Sequence, residues 1–248
     1  MHSLTSFADG IFDAALALVY PQPCAICGRN VEARDDGVTC RPCWEATRLF
    51  DAGETLCRKC GCLSPVSLTA NQRKDFHCGR CLDDEFTVAR ACGAYEGGLR
   101  ASILELKRRP HVPRHLVNLI HELQQREPLN SAELIVPVPL HQERERQRGF
   151  NQATVLARAL AHASQLPIDE QSVIRTLRTE RHRAGMDAKA RRASVAKAFV
   201  VKRNASIVGR RVLLIDDVYT TGATVSACAK ALSEAGALEV LVLTVARV

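Results

Sequence analysis

An α/β domain with a largely parallel sheet, preceded by a small cysteine-rich module, is the architecture that this 248-residue sequence predicts. Three observations carry that prediction. From about residue 87 onward, strand-like and helix-like segments alternate. Before that point the chain holds four Cys-x-x-Cys pairs. Near the C-terminus a short apolar run ends in two carboxylates, a loop of threonines around a glycine, and a fresh helical pattern.

Residues 1–20 open the chain. Apolar side chains cluster between Phe7 and Tyr20, but Asp9 and Asp13 interrupt them and no basic segment precedes them. That pattern fits a short amphipathic helix, and neither a secretory signal nor a membrane span is expected. A cytoplasmic location follows, where the eleven cysteines face a reducing environment that favours metal binding over disulfides.

Residues 21–86 hold nine of those cysteines. Eight form the pairs Cys24/Cys27, Cys40/Cys43, Cys57/Cys60 and Cys78/Cys81, and the ninth is Cys62. Two such pairs supply the four thiolates of a tetrahedral Zn²⁺ ribbon, so two structural ions are expected. The simplest pairing is sequential, the first two pairs on one ion and the last two on another. A cross-braced pairing of the first knuckle with the third, or replacement of a ligand by Cys62 or His77, stays open on sequence alone. Four thiolates close the coordination sphere, so the metal is structural rather than catalytic.

Residues 87–248 form the α/β domain. Residues 87–95 read as a strand. Residues 99–107 read as a helix that groups Leu99, Ile103 and Leu104. A further helix, 116–125, follows the Pro110/Pro113 break. Residues 134–140 read as a buried strand running into a loop, 150–164 as a helix, and 212–215 and 240–245 as strands. Residues 225–235 make the last helix, with Gly236 at its C-terminal cap. In a parallel sheet of this kind ligands bind beyond the C-terminal ends of the strands.

Composition narrows the ligand. An apolar content of 46% and a charged content of 25% are those of a soluble globular protein. An aromatic content of 4% leaves few stacking platforms for single-stranded nucleic acid. The net charge of +7 is carried mostly by arginine, whose planar fork pairs with phosphate oxygens. An anionic ligand is implied, without separating a small pyrophosphate from a nucleic acid.

Asp216 and Asp217 follow the apolar run 212–215, and Thr220, Thr221, Gly222, Ala223 and Thr224 lead into the last helix. A glycine admits an anion close to the backbone, and the N–H groups opening a helix point at it. Threonine hydroxyls add donors, while two carboxylates can accept hydrogen bonds from vicinal sugar hydroxyls and tolerate Mg²⁺ nearby. Each part suits a ribose 5-phosphate. A second cationic region follows the strand at 134–140, where His141 precedes Arg144, Arg146 and Arg148. In an extended loop, alternate spacing would turn the three guanidiniums to one side. Lys107, Arg108 and Arg109 form another cluster. A third runs from Arg175 to Arg192 through Arg178, Arg181, Arg183, Lys189 and Arg191, and reads as a cationic loop that could close over a substrate.

The segment from Asp216 to Thr224 resembles the phosphate-and-ribose signature of type I phosphoribosyltransferases. Taken with the double zinc ribbon, Leu106-Lys107, the Val136-Pro-Val-Pro-Leu-His141 run and Arg148-Gly-Phe-Asn-Gln152, the chain is similar to the ComF family, which includes the ComFC and GntX-like proteins. The resemblance implies a type I phosphoribosyltransferase fold and a site for 5-phosphoribosyl 1-pyrophosphate (PRPP) with Mg²⁺. In naturally transformable bacteria it also implies a role in DNA uptake, with single-stranded DNA and competence proteins as partners. Relatives of this type are often homodimers.

On that basis Asp216 and Asp217 would grip the ribose hydroxyls, the 220–224 loop would hold the 5-phosphate, and Lys107, Arg144, Arg146 and Arg148 would neutralise departing pyrophosphate. His141 is a weak candidate for a general base. The chain departs from the family at Arg183, where glutamine is usual, and at Ser194, where asparagine is usual, so the acceptor does not carry over. Three readings follow: a transferase with an unidentified acceptor, a PRPP sensor without chemistry, and a single-stranded DNA handling protein.

Residues 21–86 carry few large apolar side chains, so their fold is predicted to depend on zinc. Chelation is expected to release two Zn²⁺ per chain, change the far-UV spectrum and open the segment to protease. An unchanged spectrum and digestion pattern after metal release would contradict this.

Overall fold

The computed structural model describes residues 21–51, 53–65, 75–177 and 197–248. The expected segment 1–20 lies outside them, as do Arg178, Arg181, Arg183, Lys189, Arg191 and Ser194. At the centre is a four-stranded, wholly parallel sheet built from β1 (Val88–Ala94), β2 (Leu134–Pro137), β5 (Arg211–Tyr219) and β6 (Glu239–Arg247), in the order β1-β6-β5-β2. The α/β reading with a parallel sheet therefore holds.

Alternation along the central strands decides how the sheet is covered. Successive strand residues face opposite sides, and β5 is apolar on both. Val212 and Leu214 enter one core with Val240 and Val242, under helix α6 (Ala223–Glu234) through Val225, Cys228 and Leu232. Leu213 and Ile215 enter the other core with Leu241 and Leu243. There they meet α2 (Gly97–Leu106), α3 (Arg114–Gln124) and α5 (Gln152–Ser164) through Leu99, Ile103, Leu116, Ile120, Leu156 and Leu160. Continuous apolar strands with helices on both faces are the pattern of buried parallel sheets.

Two expectations are corrected and one pair of strands is added. Strand β5 does not stop at Ile215 but runs to Tyr219, because Asp216 and Val218 still pair with Thr244 and Ala246 of β6. An antiparallel pair that periodicity did not mark, β3 (Val173–Arg175) and β4 (Phe199–Val201), stands apart from the main sheet. Finally, the stretch after His141 is helical, not extended: α4 spans Gln142–Arg148. Glutamine, glutamate and arginine are strong helix formers. His141 caps the N-terminus by accepting from the Glu143 N–H at 3.3 Å, and Gly149 closes the C-terminus in the left-handed region. Glu143 and Glu145 in the first turn and Arg146 and Arg148 in the last complement the helix dipole.

The cysteine-rich segment covers the edge of β1, which would otherwise offer unpaired backbone groups. The Ala89 N–H donates to Lys59 O at 2.7 Å, the Phe50 N–H to Cys92 O at 2.8 Å, and the Ala94 N–H to Arg48 O at 3.0 Å. Its first half, which includes α1 (Arg41–Glu45), docks through Trp44. That indole donates to Asp36 O at 3.0 Å and tilts against His115 at 4.4 Å. It also packs on Gly98, where an added Cβ would lie 2.5 Å from the ring. Among the described residues no helix is long and apolar enough to cross a membrane.

Trp44 is the sole tryptophan of the chain, so its emission reports this docking. Gly98→Ala is expected to cost about 1–3 kcal/mol by overpacking, read by thermal denaturation, and to shift the emission to the red. An unaltered melting temperature and spectrum would show that Trp44 does not depend on this contact.

Candidate functional site

The candidate sugar-phosphate site forms at the C-terminal part of β5, where Asp216 still pairs with Thr244 of β6. Asp217 is buried, and its Oδ2 lies 2.8 Å from Lys107 Nζ, at the C-terminal cap of α2. Asp216 is half-buried on the same strand end, and its Oδ1 accepts from the Asp217 N–H at 2.8 Å. Burial holds the Asp216 carboxyl well above the usual carboxylate range; the charge of Asp217 and a side-chain hydrogen bond with it push the same way, while Lys107 opposes. Although successive strand side chains set out to opposite faces, these two carboxyls stay close enough to interact. A divalent cation or a pair of hydroxyl donors would relieve that crowding, so the donor set fits Mg²⁺ with a diol.

Beyond β5 comes the predicted phosphate loop. Thr220 is exposed, Thr221 and Thr224 are partly exposed, and Gly222 is the N-cap of α6 with φ +77°. The left-handed backbone favours glycine there, and an added Cβ would lie 2.2 Å from Tyr219 Oη. Ala223 begins the helix, and the Ser226 N–H donates to Gly222 O at 2.8 Å. Beneath the loop Tyr219 is buried, its hydroxyl donating to Asp84 Oδ2 at 3.3 Å and its ring lying 4.4 Å from the Arg247 guanidinium carbon. A cavity of about 750 Å³ opens on the far side of the loop, lined in part by Thr220, Thr221, Arg80, Arg247 and Phe50. Asp216 and Asp217 do not line it.

The cationic side is rearranged by the helical turn of α4. Residues two apart in a helix face different directions. Arg144 and Arg148 are half-buried while Arg146 is exposed, so the three guanidiniums do not share one side. Arg148 donates to Gln152 Oε1. His141 accepts through Nδ1 at the cap. Asn151 fixes the preceding loop: its amide donates to Val138 O at 3.0 Å and its carbonyl caps α5 by accepting from the Ala153 N–H at 3.0 Å.

Arg175 was visible in sequence only as the start of a basic run. On β3 it stacks over Phe199 at 5.4 Å. Burial lowers its pKa first and the nearby Arg144 charge second, against Asp216, which raises it. It therefore shares the field of Asp216 and Arg144. The β3–β4 pairing that brings it there has no local sequence signal.

The thiolates form two sets, Cys24/Cys27/Cys40/Cys43 and Cys57/Cys60/Cys78/Cys81, each with all four sulfurs within 4.8 Å of one another. The sequential pairing is the one brought together; Cys62 and His77 are in neither set. Sγ–Sγ distances of 3.6 Å for Cys27–Cys40, 3.4 Å for Cys60–Cys78 and 3.6 Å for Cys57–Cys81 approach the tetrahedral edge of about 3.8 Å set by Zn–S bonds of about 2.3 Å. Both sets fit structural Zn²⁺. Hydrogen bonds from the Arg29 backbone and side chain lower the Cys27 thiol to about 6.

Residues 15–82 match the family described as "Double zinc ribbon domain". The chain is 31% identical to "Competence protein F" of Haemophilus influenzae over 90% of this chain and 96% of that one. It is 30% identical to "DNA utilization protein YhgH" of Escherichia coli over 91% and 96%. Against "Competence protein ComFC" of Bacillus subtilis it is 39% identical over 42% of this chain and 39% of the other. Among solved structures, a glutamine phosphoribosylpyrophosphate amidotransferase of B. subtilis aligns at 22% identity and a TM-score of 0.38, over 57% of this chain and 30% of that one.

The raised pKa of Asp216 has a sign. The folded state holds this proton more tightly than the unfolded chain, so its contribution to stability is lost as pH rises through the folded pKa. Asp216→Asn is therefore expected to melt higher than wild type at neutral pH, each kcal/mol being worth about 2–4 °C in a chain of this size. The two melting curves should converge toward pH 4. A variant that melts lower at pH 7 would contradict the assignment.

Proposed function

The chain belongs to the family of competence protein F, and on that premise we propose that it binds PRPP with Mg²⁺ and transfers the phosphoribosyl group to an acceptor. The observation that carries the reading is the pair Asp216 and Asp217 at the end of β5, with Lys107 2.8 Å from Asp217 and a threonine loop capped by Gly222 immediately beyond. In this reading the loop and the first turn of α6 hold the 5-phosphate through N–H groups and hydroxyls. Asp216 and Asp217 accept from the ribose hydroxyls. When bound, Mg²⁺ would screen the pyrophosphate charge beside these carboxylates.

Displacement of pyrophosphate breaks the bond from C1 to the leaving oxygen as the acceptor's bond to C1 forms. Negative charge grows on the leaving group and positive charge on the sugar. In this reading Lys107, Arg144, Arg148 and Arg175 would supply the cations that stabilise the former; such fixed charges matter most in a water-poor site. His141 would donate to the same anion. Arg146, exposed on α4, is left out of this role.

Relatives named for competence and for DNA utilization favour a second role in the handling of incoming DNA. The arginine-led charge of +7 suits contact with a single strand's phosphates. The two roles are compatible in one protein.

Calorimetric titration of the zinc-loaded chain with PRPP and Mg²⁺ is expected to show saturable binding. Asp216→Asn combined with Asp217→Asn should weaken it at least 100-fold while the fold survives. Equal affinity in the folded double variant would sink the donor assignment. Binding to single-stranded DNA should fall steeply with salt, with log K linear in log salt concentration. A flat salt response would remove the DNA role.

A further inference from the structure

We propose that Arg247 is a positioning residue that fastens the phosphate loop to the second thiolate set, so that metal occupancy there sets the order of the loop and its grip on phosphate. The proposal rests on the reading of that loop given above.

The path is short and every step is a contact. Arg247, the last residue of β6, donates through Nη1 to Cys60 O and approaches Cys60 Sγ through Nη2 at 3.7 Å. A guanidinium beside a thiolate ligand makes a charge-assisted contact to both the ligand's backbone and its sulfur. The same guanidinium stacks on Tyr219 at 4.4 Å, a cation–π contact in a mostly buried setting. Phe86 meets the Tyr219 ring edge-on at 6.2 Å and Asp84 accepts from its hydroxyl at 3.3 Å. The ring cannot shift without losing these partners.

The Tyr219 hydroxyl in turn sits directly under Gly222, 2.2 Å from where a Cβ would be. Tyr219 is thus the floor of the loop and Arg247 the clamp on that floor. The segment after Cys81 joins from another side, the Glu85 N–H donating to Ser226 Oγ at 3.1 Å in the first turn of α6.

The first thiolate set docks elsewhere, through Trp44 onto Gly98 and His115. This difference makes the proposal specific: the two metal sites share chemistry, but the second touches the floor of the loop. Coupling between sites is reciprocal. If zinc at the second set orders the loop, a ligand on the loop must retain zinc there by the same factor.

The test is amide hydrogen exchange on the full, zinc-loaded chain, with PRPP calorimetry in parallel. Arg247→Gln, and Arg247→Lys in case the first does not fold, should speed exchange of residues 220–224 at least tenfold. PRPP affinity should fall at least fivefold, with two zinc ions still bound and exchange in α5 unchanged. Cys24→Ser with Cys27→Ser, which disables the first set, should leave loop exchange within twofold of wild type. PRPP should slow release of one of the two zinc ions to a chromogenic chelator.

Wild-type loop exchange in a folded Arg247→Lys chain would overturn the proposal. So would equal acceleration by the first-set variant, or acceleration spread over α5 as well. If wild type binds no PRPP yet the exchange result holds, the proposed function falls and the fastening stands. If PRPP binds normally and exchange does not respond, the fastening falls and the proposed function stands.

Discussion

A strand buried on both faces can carry ionisable groups only toward its ends, and this constraint fixes where the Asp216 and Asp217 carboxyls sit along β5. Along β5, Val212 and Leu214 feed one core while Leu213 and Ile215 feed the other. There is no solvated face on which a carboxylate could sit until the strand reaches Asp216. Next to it α2 ends and supplies Lys107 to Asp217. Desolvating two adjacent carboxyls costs stability, and burial pushes the Asp216 carboxyl upward.

The two cysteine-rich halves do different work although their ligand chemistry is the same. Both lie along the open edge of β1, and both contribute backbone hydrogen bonds to it. The first half stays a small cluster of its own, Cys24, Val31 and Cys40, joined to the α/β body by Trp44. The second half shares a core with the body: Cys57, Cys60, Cys62 and Cys81 are buried together with Phe86, Tyr219 and Val225. Residues of the second thiolate set thereby also supply packing beneath residues 220–224. A parallel sheet needs its edges covered, and the cysteine-rich segment covers the β1 edge.

Local sequence signals succeeded where one interaction type dominated. The apolar runs of β1, β5 and β6, the helix ahead of Lys107 and the glycine-capped end of α6 follow from periodicity and capping alone. Alternation misled at Arg144, Arg146 and Arg148, because residues of high helix propensity with a capping histidine override a period-two charge pattern. As a result Arg148 meets Gln152 and Arg146 faces solvent. Strands β3 and β4 are three residues each, too short to generate a periodic signal.

The sequence by itself determined the α/β alternation, the four knuckles, and the carboxylate–threonine–glycine order after β5. Those features depend on residues adjacent in the chain, where spacing fixes geometry. Only the tertiary structure decided which knuckles share a metal, that Lys107 pairs with Asp217, that Arg175 stacks on Phe199, and that Arg247 links Cys60 to Tyr219. Each of these joins residues from 13 to 187 positions apart. Their meeting is set by sheet order and by which edge the ribbons cover, and no local propensity encodes either.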